Sequence, residues 1–172
     1  MAQENLKKDT AKLKDEYGLD IELDENGRIK NKEEIDRILL NRKNEAAQSK
    51  DSKINSLNEW VDNELNNNAY VTFETVPAGS TQEQKEAIEE RNRQKEKGVD
   101  DFRENTEKAY DKGVEEAEKV YDQEMQNIED AEAWIDKVIE SGEKYRESAV
   151  KTEENLMKIR SLNLEKITYK TE

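Results

Sequence analysis

Residues 110–159 read YDKGVEEAEKVYDQEMQNIEDAEAWIDKVIESGEKYRESAVKTEENLMKI. Every seventh residue from Val114 to Leu156 is aliphatic, tyrosine or small, and a companion series lies between these positions. A heptad pattern that continues over about six repeats is typical of a helix that packs along a partner helix. We predict a self-association seam formed by Tyr110, Val114, Ala117, Tyr121, Ile128, Ala131, Ile135, Val138, Tyr145, Ala149, Leu156 and Ile159.

Two small residues make this seam less regular. Gly142 and Ala149 occupy positions that face a partner, where larger aliphatic residues pack better. This composition favours a bundle or a bent helical hairpin over a regular two-stranded coiled coil. The Ser141–Gly142 pair is the predicted point at which the helix folds back, because such pairs are common sites of helix kinks.

Three shorter helices are predicted before residue 69. Residues 3–17 carry an apolar stripe at helical spacing, and Gly18 is a predicted helix end. Asn31 is a predicted N-cap for a second helix, which covers residues 32–47. The small and polar residues 46–53 predict a break, after which a third helix carries its own apolar stripe.

Two segments have the alternation and composition of β-strands. Residues 19–30 alternate apolar and polar residues around an asparagine–glycine turn, and a three-residue loop with a left-handed Gly27 places Leu23 opposite Ile29. Residues 69–76, AYVTFETV, are rich in aromatic and β-branched residues. Because an isolated hairpin is marginally stable in water, we predict that these segments form a small three-stranded sheet.

One long helical region, which includes residues 110–159, follows these elements. Residues 80–83 match a capping box, which predicts the start of a long helix. We therefore predict a mainly α fold in two parts. Residues 1–79 form a small α+β head, and residues 80–172 form a long acidic, coiled-coil-like helix or helical hairpin.

The composition argues against a large compact core and against most catalytic chemistry. The 172 residues are 42% charged and 32% hydrophobic, whereas a typical soluble domain is about 25% charged and about 45–50% apolar. The chain has no histidine and no cysteine, so it lacks the commonest general base and any thiolate metal ligand. Carboxylate pairs are frequent, but the heptad turns them outward. We predict no catalytic residue, no cofactor and no metal site.

Charge and hydropathy exclude two classes of partner. The net charge is −14 and no basic cluster offsets it, so binding to a phosphate backbone would be opposed throughout. No apolar run approaches the roughly 20 residues of a membrane span, and the first residues contain no apolar core of a secretory signal. We expect neither nucleic-acid nor membrane binding, and no secretion by a signal peptide.

Residues 22–33 imitate a calcium-binding loop. Oxygen ligands stand at its first, third and fifth positions, glycine at the sixth and Glu33 at the twelfth. However, the first position is Glu22 rather than aspartate, and Gly18 interrupts the helix that should precede the loop. Arg28 also brings positive charge into it. The hairpin therefore explains these residues better, and calcium binding is the alternative.

Within residues 17–46, a run of the form aliphatic–Asp–x–Asn–Gly–x–Ile–x–Asn precedes a helix that opens with glutamate. The matching residues are Leu23, Asp24, Asn26, Gly27, Ile29, Asn31, Glu33 and Glu34. This pattern resembles the tail tape-measure proteins of phages and prophages of Gram-positive bacteria, in which such segments interrupt long polar helices. The resemblance implies a protein inside the tail tube that sets tail length, and it implies no catalytic residues.

The seam and the resemblance together predict a non-enzymatic structural protein that self-associates as a phage virion or tail-assembly component. Its expected partners are further copies or other helical virion proteins, in the cytoplasm of a bacterial host or in the virion. The alternative is a helical binding or adaptor module, such as a secretion-system or toxin-associated protein. Trp60 and Trp134 are candidate partner anchors, since aromatic side chains dominate many interfaces, or each covers the edge of its own helix.

Overall fold

Most of the chain is helical. The computed structural model describes residues 1–171, and the side chains of residues 1–166. Its three helices are α1 (Ala2–Tyr17), α2 (Lys32–Asn68) and α3 (Gln82–Thr171). The prediction of a mainly α fold is therefore confirmed.

The chain divides into two compact units. The first unit contains Met1–Asn44 and Glu124–Glu172, and the second contains Glu45–Gln123. Both α2 and α3 contribute residues to both units. This division therefore differs from the predicted one, which separated a head from a helical region at residue 79.

The first unit is a helical bundle around one apolar core. Asp9 contacts Ser141 and Lys12 contacts Trp134, so α1 runs antiparallel to α3. Each segment folds as a helix with one apolar stripe, and the stripes meet in the core. The buried core residues are Leu6, Leu13, Leu19, Ile35, Leu39, Ile128, Ala131, Ile135 and Val138.

The end of α1 lies at the predicted residue. Gly18 has φ 64°, a left-handed conformation that glycine adopts at little steric cost. Its N–H donates to the carbonyl of Lys14 at 3.1 Å, and the N–H of Leu19 donates to that of Leu13 at 3.1 Å. Leu19 is fully buried, so this cap directs the chain straight into the core.

The predicted β-hairpin is reduced to one antiparallel bridge between Leu23 and Ile29. Its register is the predicted one, because the N–H of Asp24 donates to the carbonyl of Arg28 at 2.8 Å. Gly27 has φ 78°, as a three-residue loop requires. The turn is therefore confirmed, but no strand extends from it within residues 19–30, so the prediction of a β-hairpin in the head is wrong.

Asn31 explains why pairing stops at this bridge. Its amide oxygen accepts the N–H of Glu22 at 2.9 Å, and its amide nitrogen donates to the carbonyl of Asp20 at 2.8 Å. A side chain thus takes backbone groups that a longer hairpin would pair with another strand. The predicted role of Asn31 is also corrected: it stands directly before α2, but its side chain binds the preceding loop.

α2 continues through residues 46–53, where a break was predicted. This stretch contains neither glycine nor proline, and Ala46, Ala47 and Lys50 are half-buried. Alanine is the strongest helix former, and its small side chain permits close packing. The predicted break is therefore wrong, because the stretch contains good helix formers and no helix-breaking residue.

In the second unit, residues of α2 and α3 pair antiparallel. The side chain of Leu57 packs over Gly113, where an added Cβ would lie 2.9 Å from both leucine methyl carbons. One end of this pair brings the Lys50 ammonium to 4.6 Å from the centroid of the Tyr121 ring. Gly113 therefore allows the two helices to approach closely.

Residues 69–81 connect α2 to α3 and contain no strand, so the predicted three-stranded sheet is absent. Asn92 of α3 accepts the N–H of Glu74 at 2.9 Å and donates to its carbonyl at 3.0 Å. Arg91 donates to the Glu74 carboxylate at 2.7 Å, and this bond holds the pKa of that carboxyl below its ordinary value. Polar side chains of α3 thus form hydrogen bonds with this segment, where a neighbouring β-strand was predicted to pair with residues 69–76.

α3 begins with a capping box, one residue later than predicted. The hydroxyl of Thr81 accepts the N–H of Gln84 at 3.2 Å, and the side-chain carbonyl of Gln84 accepts the N–H of Thr81 at 3.0 Å. Ser80, the predicted cap, instead donates to the carbonyl of Pro77 at 2.7 Å. The mechanism of helix initiation is the predicted one, with its residues shifted by one.

α3 does not fold back at Ser141–Gly142. Ser141 donates from its hydroxyl to the carboxylate of Asp9 at 2.7 Å. A Cβ on Gly142 would lie 2.5 Å from the carbonyl oxygen of Gly27. The predicted fold-back is therefore wrong: the missing side chain of Gly142 makes room for the 24–27 turn, and the helix stays continuous.

Candidate interaction surfaces

The predicted self-association seam has a buried part and an exposed part. From Tyr110 to Tyr145 its residues are buried or half-buried, with the largest burial in the first unit. Ala149, Leu156 and Ile159 are exposed. The structure therefore places most of the seam inside the chain and leaves only its C-terminal end accessible.

In the second unit, the seam belongs to a longer apolar stripe. Ala117 is buried and Tyr110 is half-buried, and the stripe extends back through Thr106 to Phe102 at spacings of four residues. Thr106 is buried although it is polar. Sequence reasoning missed this residue because a hydroxyl side chain does not stand out in a hydrophobicity pattern.

In the first unit, the seam forms the α3 side of the core. Ile128 and Ile135 are each 3% exposed and Val138 is fully buried. These side chains pack with residues of α1 and α2 in one hydrophobic cluster. The heptad therefore identified the correct face of α3, and the partner helices of that face come from the same chain.

Residues 147–162 of α3, which we call the arm, are exposed on every side. A surface so rich in large apolar side chains is typical of a site that binds another molecule. Sequence reasoning identified Leu156 and Ile159, but it missed three further residues that lie outside the heptad seam. The exposed apolar side chains are Val150 (55%), Leu156 (48%), Met157 (61%), Ile159 (54%) and Leu162 (57%).

One face of the arm borders an open groove. Glu153 and Arg160 line this groove together with apolar side chains of the same face. The groove reaches the first residues of α1 at one end. Its lining residues on the arm include Ala149, Thr152, Glu153, Leu156, Met157 and Arg160.

Trp134, a predicted partner anchor, is in contact with two lysines. The ammonium groups of Lys12 and Lys137 are each 3.9 Å from the centroid of its ring. The ring is half-buried and packs against the core of the first unit. Two cation–π contacts and packing against the core occupy this tryptophan within its own chain, so this geometry favours the covering role.

Trp60, the other predicted anchor, is more accessible. Its side chain is 38% exposed and lines an open groove in the second unit, together with Leu57, Gly113 and Val120. Val120 is 39% exposed. An exposed indole beside an apolar groove is a suitable contact for a partner side chain.

In the loop that imitates a calcium site, Asp24 is engaged by the backbone. One of its carboxylate oxygens accepts the N–H of Asn26 at 2.8 Å and that of Arg28 at 2.9 Å. These hydrogen bonds hold the pKa of Asp24 below its ordinary value, and the bond from the N–H of Arg28 lowers it most. Among the residues that the structure describes, no three acidic side chains are grouped so as to hold a metal ion.

The carboxylates of the helices lie in solvent. Every Asp and Glu side chain up to residue 166 is exposed or half-buried. A catalytic carboxylate pair needs a desolvated setting that separates the two pKa values. The acidic pairs of α3 therefore have the environment of a charged helix surface.

Comparisons of the chain with protein-family models, curated proteins and solved structures gave no match. Within residues 1–171, no helix has an apolar stretch sufficient to cross a membrane.

Proposed function

We propose that this protein is a non-enzymatic structural or interaction protein that self-associates through the arm. The observation that carries this proposal is the concentration of five large, exposed apolar side chains on residues 147–162. Burial of such side chains is the main driving force of protein association. The proposal narrows the predicted seam to its C-terminal end, since Ile128 and Ile135 are already covered by α1 and α2.

Two features support a role without catalysis. The chain contains no histidine and no cysteine, which perform much acid–base and nucleophilic chemistry. Every Asp and Glu side chain up to residue 166 is exposed or half-buried, whereas a catalytic carboxylate pair needs a desolvated setting. A helical scaffold that displays a binding segment needs neither kind of residue.

The most specific form of this proposal is a phage virion or tail-assembly component. It is supported by the resemblance of residues 17–46 to tape-measure proteins. In this form the partners are further copies of the chain or other helical virion proteins. The location is the cytoplasm of a bacterial host or the virion.

The test is the solution mass of the purified chain, measured by light scattering from micromolar to millimolar concentration. We expect reversible oligomers of the wild type and a monomer of the Leu156→Asp/Ile159→Asp variant. Circular dichroism should remain unchanged, because both side chains are exposed. A wild type that stays monomeric throughout would contradict self-association.

Leu40→Asp is the matched control. Leu40 is 57% exposed on α2, outside the arm. The variant removes an apolar side chain of similar exposed fraction and adds one negative charge, as each of the two arm substitutions does singly, and it should leave the wild-type mass unchanged. Dissociation by Leu40→Asp as well would indicate a general effect of charge rather than an interface on the arm.

An adaptor module is the second candidate function, and the groove beside Trp60 favours it. Leu57, Gly113 and Val120 form an apolar surface next to the exposed indole. In this alternative, the second unit binds a helical protein of a secretion or toxin system. Because the chain has two tryptophans, the test uses Trp134→Phe, in which only Trp60 remains. A monomeric chain whose Trp60 fluorescence shifts on addition of a candidate partner would favour the adaptor over the self-associating protein.

A further inference from the structure

The two ends of the arm carry opposite charge. Residues 147–156 contain three acids and one base, for a net charge of −2, and residues 157–162 contain two bases and no acid, for a net charge of +2. The arm is therefore neutral, whereas the whole chain has a charge of −14. Two copies of this acidic chain repel each other at long range. Because the arm has no net charge, contact between two arms adds little to this repulsion. The charged residues are Glu147, Lys151, Glu153, Glu154, Lys158 and Arg160.

One acid and one base lie on the apolar face of the arm. Glu153 and Arg160 line the same groove as Leu156 and Met157. Residues seven apart lie two turns apart on one side of a helix. The centre of this face is thus apolar, with a negative group on one side along the helix and a positive group on the other.

We infer that the arm pairs antiparallel with the arm of a second copy of the chain, about a two-fold axis beside Leu156 and Met157. This inference rests on the proposed function and adds the partner's identity, orientation and register. Antiparallel pairing about this axis places Glu153 of each copy opposite Arg160 of the other, so one contact occurs twice, as two-fold symmetry requires. Parallel pairing would instead place acidic half against acidic half.

The apolar and charged residues have different roles in this pair. Removal of Leu156, Met157 and neighbouring side chains from water supplies the affinity. The two ion pairs add little net affinity to the antiparallel pair. In a parallel pair the same side chains would face like charges, and this repulsion disfavours the parallel orientation. The arm is about 24 Å long, so one helix pair forms a small interface and we expect reversible dimers with micromolar affinity.

Charge reversal tests the orientation. Glu153→Arg places two arginines opposite each other twice in the antiparallel dimer, and Arg160→Glu does the same with two glutamates. We expect each single variant to raise the dimer dissociation constant at least about tenfold. The double variant exchanges the partners and should restore the constant to within about threefold of the wild type. Without weakening in the single variants, or without restoration in the double variant, the antiparallel register would be wrong.

A distance measurement provides an independent test. The chain has no cysteine, so Ser148→Cys introduces one labelling site on the exposed arm. In the antiparallel dimer, two nitroxide labels at residue 148 are separated by about 25 Å along the helix axis. In a parallel dimer they lie at the same height, separated mainly by the interaxial distance of about 10 Å. The short distance would overturn the inference.

The failures of the two proposals are distinguishable. A wild type that remains monomeric would overturn both the self-association and the antiparallel pairing. A dimer that Leu156→Asp/Ile159→Asp does not dissociate would place the interface outside the arm and would overturn both as well. A dimer that this variant dissociates, but that shows the short label distance, would leave the proposed function intact and overturn the antiparallel orientation alone.

Discussion

Gly142 and Gly27 meet at a contact that leaves no room for a side chain. A Cβ on Gly142 would lie 2.5 Å from the carbonyl oxygen of Gly27, which belongs to a backbone that cannot easily move. We expect Gly142→Ala to lower the free energy of unfolding by about 1–3 kcal/mol, the usual cost of overpacking. Urea denaturation followed by circular dichroism measures this change.

Gly98→Ala is the control on the same helix. Gly98 lies within α3, and a Cβ there would meet nothing within 4 Å. Because glycine weakens a helix interior relative to alanine, this variant should gain about 0.5–1 kcal/mol of stability. Equal stabilisation by both substitutions would mean that the 24–27 turn does not pack on Gly142.

Asp24 makes the stability of the turn depend on pH. Its hydrogen bonds from the backbone, that of Arg28 foremost, lower its pKa in the folded state. The stabilisation is therefore fully present above the unfolded pKa of about 3.9 and is lost as the pH falls through the folded pKa. We expect the difference in melting temperature between wild type and Asp24→Asn to decrease between neutral and acid pH. A difference that stays constant between neutral and acid pH would contradict this role of the Asp24 carboxylate.

At the scale of the secondary-structure elements, the capping box at Thr81 fixes the start of α3. The Thr81 hydroxyl accepts a hydrogen bond from the N–H of Gln84. No backbone carbonyl within the helix can accept this bond, because Gln84 lies in the first turn. We expect Thr81→Ala to cost about 1 kcal/mol and to increase amide hydrogen exchange in the first turn of α3. Thr75→Ala, an exposed threonine of the same connection, should change neither quantity. Indistinguishable exchange in the two variants would show that the cap is dispensable.

The elements that sequence predicted well are those determined by neighbouring residues. The turn at Gly27 and the end of α1 at Gly18 need a left-handed residue, and glycine marks both positions. Residues 69–76 are different, because a strand exists only when another strand pairs with it. Here Asn92 of α3 takes the backbone groups of Glu74. No local pattern reveals that a distant polar side chain will do this.

At the scale of the whole molecule, the heptad predicted which face of α3 is covered but not what covers it. Periodicity depends on one helix alone, so an internal partner and a second molecule produce the same pattern. Ile128 and Ile135 are covered by α1 and α2, whereas Leu156 and Ile159 of the same seam are exposed. The break expected in α2 also hid the length of this helix, which continues through residues 46–53. The candidate site thus includes the part of the predicted seam that the chain itself leaves exposed.

This division of the seam predicts opposite results for two pairs of aspartate substitutions. Ile128→Asp/Ile135→Asp places two carboxylates in the core of the first unit, where each original side chain is 3% exposed. Burying carboxylates without partners is strongly unfavourable, and the typical total stability of a folded protein is only about 5–15 kcal/mol. We therefore expect this variant to lose cooperative thermal unfolding. Leu156→Asp/Ile159→Asp should keep the wild-type melting transition at concentrations where the chain is monomeric, because those positions are in solvent. If the core variant instead melted cooperatively near the wild-type temperature, the 128–138 face would be a surface between molecules, and α1 and α2 would not cover it.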